Sequence, residues 1–289
     1  MKNCALLSMD SLENFFAYDD MLVEPFAKQG WHAEEVSWRN KNVQWSKYDV
    51  VIIRSTWDYQ SDAKGFEACL NEIVASGAKL ENNLELVKWN ISKAYLKDMQ
   101  GQGINIVPTL WFEQFSLADV QQGFSHFATD QLVLKPLVSA NADHTYRLSP
   151  EALLDLAPQL SQTFSQRAFM VQPFIPAIIH EGEYSLFYFA GHYSHAILKQ
   201  PKQGDFRVQE EHGGQLKCIE PDEEMLTSAR HALASLPSDA LYARVDLVRC
   251  EGEYALMEIE LIEPSLYFNM DPTSPQRFVD AFVECYGKG

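Results

Sequence analysis

The stretch LMEIELIEP, Leu256–Pro264, places acidic residues at alternate positions of a predicted β-strand. Side chains alternate between the two faces of a strand, so Glu258 and Glu260 are predicted to share one face. The opposite face would carry Met257, Ile259 and Leu261. Acids that face water on a half-buried antiparallel sheet produce this pattern most often. The second explanation is a site that binds a cation.

A second alternating stretch, YARVDLV at Tyr242–Val248, precedes the first, and a turn signal at Glu251-Gly252 separates the two. The pair is therefore predicted to form an antiparallel hairpin. Asp246 then falls opposite Glu258 or its immediate neighbour, and Arg244 falls opposite Glu260. Like charges directly across a strand pair are destabilising, so a cation absent from the sequence is expected between these carboxylates. Mg²⁺ suits such oxygen ligands.

Composition restricts the remaining possibilities. The 289 residues carry a net charge of -17, with 46% hydrophobic residues, as expected for one large or two to three small globular domains. So acidic a chain is not expected to bind nucleic acid. No apolar run reaches membrane-spanning length and the N-terminus lacks a signal-peptide pattern, so we expect no membrane association and a cytoplasmic location. Five scattered cysteines without CxxC spacing favour neither structural zinc nor a disulfide framework.

The first 81 residues alternate between strand and helix patterns, with predicted strands at 3–9, 32–38, 50–55 and 78–81. This alternation predicts a small parallel, doubly wound sheet. In YDVVIIRSTWDY an apolar strand ends abruptly in polar residues, and ligands of such sheets bind beyond the carboxyl ends of strands. We therefore predict substrate binding by Arg54, Ser55, Thr56 and Asp58. An ordinary surface loop is the alternative.

Two lysines in the middle of the chain are the next candidates. Lys93 begins a predicted helix over 92–100, and Lys135 interrupts the apolar strand of QLVLKPL; a further strand is predicted over 103–112. A single lysine in a strand is most simply explained by its stem lying along a sheet edge. Lysines together with a carboxylate hairpin suit a nucleotide triphosphate and its metal. Neither GxxxxGK[ST] nor GxGxxG occurs, so P-loop and dinucleotide-binding motifs are absent.

The order of these motifs resembles the ATP-grasp ligases. Lys93 is followed by VLKP, QPFIPAIIHEGE, GDFR, ARVDLV, MEIE and EPS, and this order covers residues 80–268. The pattern is similar to the glutathione synthetase and D-alanyl-D-alanine ligase branches, and RSTWDY, WNISKAYL and KPLVSANADHT resemble small ligases of the O-ureido-serine cyclo-ligase type. The resemblance implies an α/β fold with α+β architecture in the C-terminal part. A pre-ATP-grasp domain (1–88) would precede two subdomains (89–172 and 173–289) that clasp ATP.

The resemblance also implies a role for each matching residue. Lys93 and Lys135 would contact the ATP phosphates, and Glu183 the ribose hydroxyls. Adenine would meet the backbone of the hinge residues Gln172, Pro173, Phe174 and Ile175. Two Mg²⁺ ions, for which Mn²⁺ is expected to substitute, would be held by Asp246, Glu258 and Glu260, the last standing where the family usually has asparagine. Transfer of the phosphate would be assisted by Arg244, Arg207 and Lys199.

The implied activity is ATP-dependent joining of a carboxylate to an amine through an acyl phosphate, on an amino-acid-like or peptide-like substrate. Loops at 139–145 and 203–214 are expected to cover the site, because an acyl phosphate must be shielded from water. Two alternatives stay open at this point: an intramolecular cyclo-ligase of the O-ureido-serine type, and a non-catalytic MgATP-binding regulatory protein. The oligomeric state is also open, a homodimer included.

Overall fold

The computed structural model describes residues 1–139 and 142–289. The N-terminal part confirms the predicted small parallel sheet, whose four strands lie in the order β2-β1-β3-β4. Their bounds are β1 Lys2–Ser8, β2 Trp31–Ser37, β3 Val50–Ser55 and β4 Lys79–Glu81. Every residue of β3 is buried, which explains its near-continuous apolar sequence.

Three helices connect and follow these strands: α1 Val23–Lys28, α2 Ala63–Ala75 and α3 Leu84–Asn90. A 3₁₀ turn at Asp19–Leu22 precedes α1. Asp62 caps α2 by accepting a hydrogen bond from the Gly65 amide at 3.0 Å. Gly77, with φ of +93°, ends the same helix in a conformation that glycine adopts readily.

The middle of the chain forms a four-stranded antiparallel sheet in the order β5-β8-β6-β7. Its elements are α4 Tyr95–Gly101, β5 Leu110–Phe112, α5 Leu117–His126, β6 Leu132–Pro136, β7 Tyr146–Leu148, α6 Pro150–Thr163 and β8 Phe169–Pro173. The strand predicted over 103–112 is wrong for most of its length. Pro108 cannot donate a ladder hydrogen bond, and only Leu110–Phe112 pairs as a strand of this sheet.

The C-terminal part forms a five-stranded antiparallel sheet in the order β11-β10-β9-β12-β13. Its elements are α7 Ala177–His180, β9 Glu183–Phe189, β10 His192–Gln200, β11 Gln215–Cys218, α8 Glu223–Ala234, β12 Tyr242–Cys250, β13 Glu253–Glu260 and α9 Ser274–Tyr286. The last two strands form the predicted hairpin. The domain boundaries predicted from the sequence stay a prediction.

The register of the hairpin confirms the sequence analysis: Arg244 lies opposite Glu260, and Asp246 lies opposite Glu258. The strict alternation of β13 does not hold throughout, because the register shifts between Asp246 and Leu247 and leaves Met257 as an extra residue. A bulge of this kind turns a side chain away from its regular face. Met257 accordingly lines the same cavity as Glu258.

The N-terminal sheet is joined firmly to the hairpin. The Asn82 side chain donates to the carbonyls of Tyr242 (2.8 Å) and Leu261 (2.7 Å) and accepts from the Leu241 amide (2.8 Å). Helix α9 adds an aromatic contact, since Phe282 packs edge-on against Trp31. These contacts place the loop after β3 beside the segment after β13. No helix in the described residues is long and apolar enough to cross a membrane.

Candidate active site

One cavity is bounded by the two antiparallel sheets and by the loop after β3. It encloses about 1520 Å³ of space, part of it open to solvent. Side chains from the hairpin form one wall, the end of β8 forms another, and the loop after β3 approaches from the N-terminal part. The cavity brings together the residues predicted for phosphate, adenine and metal, namely Lys93, Lys135, Gln172, Pro173, Phe174, Ile175, Glu183, Lys199, Arg207, Arg244, Asp246, Glu258 and Glu260.

Asp246 lies at the centre of the hairpin wall. It accepts hydrogen bonds from the Arg244 guanidinium at 2.9–3.1 Å, from Lys199 Nζ at 3.3 Å and from the Ser185 hydroxyl. Burial alone would raise the pKa of Asp246, but the two cations outweigh burial and hold the pKa at about 2. This carboxylate is therefore ionised across the neutral pH range.

The other two carboxylates of the wall are also paired with cations. Glu258 forms an ion pair with Lys93 at 3.0 Å, and Glu260 forms one with Arg244. Burial works against ionisation of Glu258, yet Lys93 lowers its pKa. Burial raises the pKa of Glu260 well above its usual value, and the neighbouring acid Glu258 adds to this effect against the opposing charge of Arg244. Ionisation of Glu260 therefore requires more positive charge than Arg244 alone supplies.

The donor set suits Mg²⁺, although each carboxylate is turned towards a protein cation. Among the residues that the structure describes, no three acidic, histidine or cysteine side chains converge as a ready-made metal cluster. Mg²⁺ is commonly bound by one or two carboxylates with water and substrate phosphates completing its shell. Asp246, Glu258 and Glu260 share one strand-pair face and fit that requirement. Their assignment as ligands stays a prediction.

Three lysines face the carboxylate wall across the cavity or lie within it. Lys135 is in no ion pair with any described residue, and burial, aided by the charge of Lys93, lowers its pKa. Lys199 contacts Glu183 and Asp246, and these acids raise its pKa against the effect of burial. A half-buried lysine without a carboxylate partner suits an anionic ligand. Glu183 is thus already paired, and its predicted contact with ribose stays untested.

The end of β8 forms an apolar slot. The hinge residues Phe174 and Ile175 line it together with Val107, Ile178, Val208 and Met257. Gln172, which is buried, donates from its side chain to the Thr109 hydroxyl at 3.0 Å. A slot of this composition, with backbone groups at its edge, suits a flat heteroaromatic base.

Loops lie over the open side of the cavity. Arg207 lines it and forms an ion pair with Asp205 at 2.8 Å. The hydroxyl of Tyr18, in the N-terminal part, donates to Glu210 of the same loop at 3.1 Å. From the loop predicted at 139–145, Ser139, Ala142 and Thr145 line the cavity. Residues 140 and 141 of that loop lie outside the described residues.

The residues predicted to bind substrate are placed differently from the others. Arg54 is buried, and its guanidinium donates to Asp19 at 2.9 Å and to the Pro264 carbonyl at 3.0 Å. The Ser55 hydroxyl donates to the same Asp19, and Thr56 is fully buried. None of these three, nor Asp58, is among the described residues that line the cavity.

Asp58 is engaged on the outer side of the same loop. It accepts hydrogen bonds from Arg39 at 2.5 Å and from the Trp38 indole at 2.7 Å. Instead, the two residues that flank Asp58 in the sequence, Trp57 and Tyr59, line the cavity. The role of the four predicted residues in substrate binding stays a prediction, and the geometry favours their two aromatic neighbours.

Among the cavity residues that the sequence analysis left without a role, three follow β13. Glu263, Ser265 and Tyr267 follow β13 and line the cavity beside the loop after β3. The acid belongs to the stretch LMEIELIEP, so its charge was visible in the sequence. The direction of the Glu263 side chain could not be predicted, because the chain leaves the strand after Glu260 and the period of two no longer applies.

Solved structures share this arrangement of sheets. D-alanine–D-alanine ligase from Bacillus anthracis is 13% identical, with a TM-score of 0.70 covering 98% of this chain and 97% of that chain. A RimK domain ATP-grasp protein from Sphaerobacter thermophilus is also 13% identical, with a TM-score of 0.70 covering 97% and 99%. At this identity the likeness is one of fold. The protein therefore has the ATP-grasp fold, as its motif order indicated.

Closer similarity is to D-cycloserine synthetase. Residues 4–82 match the family model of the N-terminal domain of D-cycloserine synthetase DcsG. The chain is 27% identical over 275 residues to the cycloserine biosynthesis protein DcsG of Streptomyces lavendulae, covering 91% of this chain and 92% of that protein. The crystal structure of D-cycloserine synthetase DcsG is 26% identical, with a TM-score of 0.87 covering 98% and 99%. The N-terminal match includes the loop after β3.

Proposed function

We propose that this protein is an ATP-dependent ligase that joins a carboxylate to an amine on an amino-acid-like or peptide-like substrate, releasing ADP and phosphate. The observation that carries the proposal is a cavity in which three acidic residues of one hairpin face Lys135, a lysine that forms no ion pair within residues 1–139 and 142–289. This combination supports MgATP binding better than a solvated sheet surface. A solvated surface would have no reason to bury these charges.

The nucleotide is assigned to the cavity by its chemistry. The apolar slot at the end of β8 receives the adenine, and Glu183 is close enough to the cavity to meet ribose. Lys93 and Lys135 contact the phosphates, which requires Lys93 to exchange its present partner, Glu258, for a phosphate oxygen. Glu258 is thereby released toward the metal. We assign two Mg²⁺ ions to Asp246, Glu258 and Glu260, with Mn²⁺ able to replace them.

The reaction follows from these contacts. A substrate carboxylate attacks the γ-phosphorus, and ADP leaves. An amine then attacks the acyl carbon of the acyl phosphate, phosphate leaves, and the amine nitrogen loses a proton as the amide forms. Arg244 and Arg207 hold the transferred phosphate and the oxyanion, and Lys199 keeps Asp246 ionised. Bound magnesium would neutralise the charge that develops on the phosphate oxygens. No residue of the chain forms a covalent intermediate, so the chain needs no nucleophilic triad.

An intramolecular cyclo-ligase is the second candidate, and a specific observation favours it. The similarity to D-cycloserine synthetase extends over 98% of this chain and includes the N-terminal part, where substrate is expected. We therefore place O-ureido-serine first among the substrates to be tested, with alanine as the test of intermolecular joining. The proposed location is the cytoplasm, and the proposed partner is a small molecule.

Release of phosphate from MgATP tests the proposal. We expect turnover with at least one of O-ureido-serine or alanine, and loss of turnover by on the order of a thousandfold or more in Asp246→Asn. Asp155→Asn, at an exposed position of α6, is the matched control and should keep full activity. Thermal melting of both variants verifies folding.

A different result would support the non-catalytic alternative. MgATP binding that is unchanged in Asp246→Asn, together with no turnover on a broad amino-acid panel, would identify a regulatory nucleotide-binding protein. Absence of MgATP binding in the unmodified protein would contradict both hypotheses, the ligase and the regulatory nucleotide-binding protein.

A further inference from the structure

Glu263 is an acidic residue of the cavity that neither the nucleotide nor the metal assignment uses. It is 9% exposed and lines the cavity three positions beyond Glu260. Within residues 1–139 and 142–289 its carboxylate is in no ion pair, whereas Asp246, Glu258 and Glu260 each contact a cation. A buried carboxylate without a cation is costly unless a ligand supplies one.

The backbone around Glu263 is held in place from two sides. The Trp57 indole donates to the Glu263 carbonyl at 2.8 Å, and Arg54 donates to the next carbonyl, that of Pro264, at 3.0 Å. Arg244 donates to the Ser265 carbonyl at 3.3 Å. These three hydrogen bonds hold the backbone of the segment in place beside the cavity, which the Glu263 side chain lines.

Aromatic rings surround the same part of the cavity. Trp57 and Tyr59 line it from the loop after β3, with exposed fractions of 8% and 3%. Phe15 stacks on the outer face of Trp57, with ring centroids 5.5 Å apart. Burial raises the pKa of Tyr59 well above its usual value, and the neighbouring Glu263 raises it further. The phenol thus stays neutral and can donate a hydrogen bond to the carboxylate.

We propose that Glu263, with Trp57 and Tyr59, forms the subsite that binds the α-ammonium group of the amino-acid-like substrate. A carboxylate supplies the ionic partner, and aromatic faces attract a cation without competing for its hydrogen bonds. The inference rests on the proposed ligase function and deepens it by naming the substrate class: a small acid that carries a free α-amino group.

The surrounding charges support a cation at this place. Lys93 opposes the burial that raises the pKa of Glu263 to about 7, and Glu258 adds to the rise. When Lys93 turns to a phosphate, Glu263 loses the positive charge that acts on it most strongly. A substrate ammonium group then restores the balance at the moment when nucleotide is bound.

Binding measured by calorimetry tests the subsite independently of turnover. The protein is saturated with a non-hydrolysable MgATP analogue and titrated with O-ureido-serine, in both enantiomers, and with 3-(ureidooxy)propanoate, which lacks the amino group. Alanine and propanoate form a second pair. We expect the unmodified protein to prefer the amino form of at least one pair by on the order of thirtyfold or more.

Glu263→Gln should abolish that preference and leave the affinity for MgATP within about twofold, because only the ammonium partner is removed. Glu253→Gln, at an exposed position of the same hairpin, is the matched control and should retain the preference. If Glu263→Gln fails to fold, Trp57→Leu provides a second test, with an expected loss of preference of about fivefold.

The inference is overturned if the unmodified protein shows no preference in either pair, or if Glu263→Gln retains it. A change confined to MgATP affinity would identify Glu263 as a counter-ion of Lys93 and would also overturn the inference. Failure of the proposed function has a different signature, since MgATP binding itself would then be absent from the unmodified protein.

Discussion

The hairpin β12–β13 and the loop after β3 carry similar residues, yet the fold uses them in different ways. In the hairpin, Arg244 and Glu258 lie along the wall of a cavity where a ligand can replace their present partners. At the end of β3, directly before the loop, Arg54 forms an ion pair with Asp19, and the two side chains are 2% and 8% exposed. The difference shows that charge and position in the chain do not identify a site. A site is identified by charges that remain available to contact a ligand.

Arg54→Met is expected to have the largest effect of the changes that separate these regions. It leaves Asp19 buried without a cation, which should lower the free energy of unfolding by about 3–5 kcal/mol. Urea denaturation measures this loss. Arg39→Met is the control: Arg39 follows β2 and pairs with Asp58 of the loop after β3. The Asp58 side chain is 30% exposed, so a loss of about 1 kcal/mol is expected. Equal losses in both variants would contradict the contrast.

Glu258→Gln should show the opposite behaviour. We expect the rate of phosphate release to fall about 10²- to 10³-fold, because a charge aimed at the transferred phosphate and its metal is removed. The free energy of unfolding should change by only about 1 kcal/mol, since Glu258 and Lys93 are partly exposed to the cavity. The Mg²⁺ concentration needed for half-maximal rate should rise. An unchanged rate and an unchanged Mg²⁺ requirement would show that the hairpin wall does not hold the metal.

The pH dependence of stability distinguishes Glu263 from the paired acids. Burial raises its pKa to about 7, so the folded protein favours its neutral form and binds a proton more readily than the unfolded chain does. This contribution is complete at about pH 4 and is lost as pH rises through about 7. The charged groups that act on it are Lys93, Glu258 and Arg244.

Without ligand, Glu263→Gln should therefore be more stable than the unmodified protein at pH 8 by about 1–3 kcal/mol, and similar to it at pH 4.5. Chemical denaturation at the two pH values provides the comparison. Asp246, with a pKa of about 2, should add no change over this range. A constant difference between the two proteins would show that Glu263 is ionised throughout.

Asp58→Asn should have the smallest effect. Its carboxylate is half exposed and keeps hydrogen-bonding capacity as an amide, so the free energy of unfolding should fall by at most about 1 kcal/mol. Since Asp58 contacts Arg39 outside the cavity, we expect the KM of the amino-acid substrate to stay within about twofold. A tenfold increase in KM would instead support the substrate role that the sequence predicts for this loop.

The parts of the site that could be predicted are those governed by local rules. The period of two and the turn at Glu251-Gly252 were enough to place Asp246 opposite Glu258 and Arg244 opposite Glu260. The bulge at Met257 could not be predicted, because nothing in the alternating sequence distinguishes an extra residue from a regular one. The order of the motifs, rather than any single motif, indicated the ATP-grasp fold.

The direction of the loop after β3 depended on distant parts of the chain. Arg54 turns away from the cavity because Asp19, 35 residues earlier, and the Pro264 carbonyl, 210 residues later, both accept its hydrogen bonds. Trp57 reaches the cavity because its indole finds the Glu263 carbonyl. No local pattern contains these partners, so the sequence pointed to the polar members of RSTWDY, whereas Trp57 and Tyr59 line the cavity.

By itself, the amino-acid sequence determined the α/β class, the small parallel sheet and the hairpin that carries three carboxylates, since these follow from periodicity and nearest neighbours along the chain. Only the tertiary structure decided which charges remain available to a ligand. That outcome depends on burial and on partners from other sheets: Asp19 neutralises Arg54, while Glu263 lies in the cavity with no cation from the described residues. Because both members of the Asp19–Arg54 pair are desolvated, that pair stabilises the fold. The buried carboxylate of Glu263 is instead stabilised when a ligand supplies a cation.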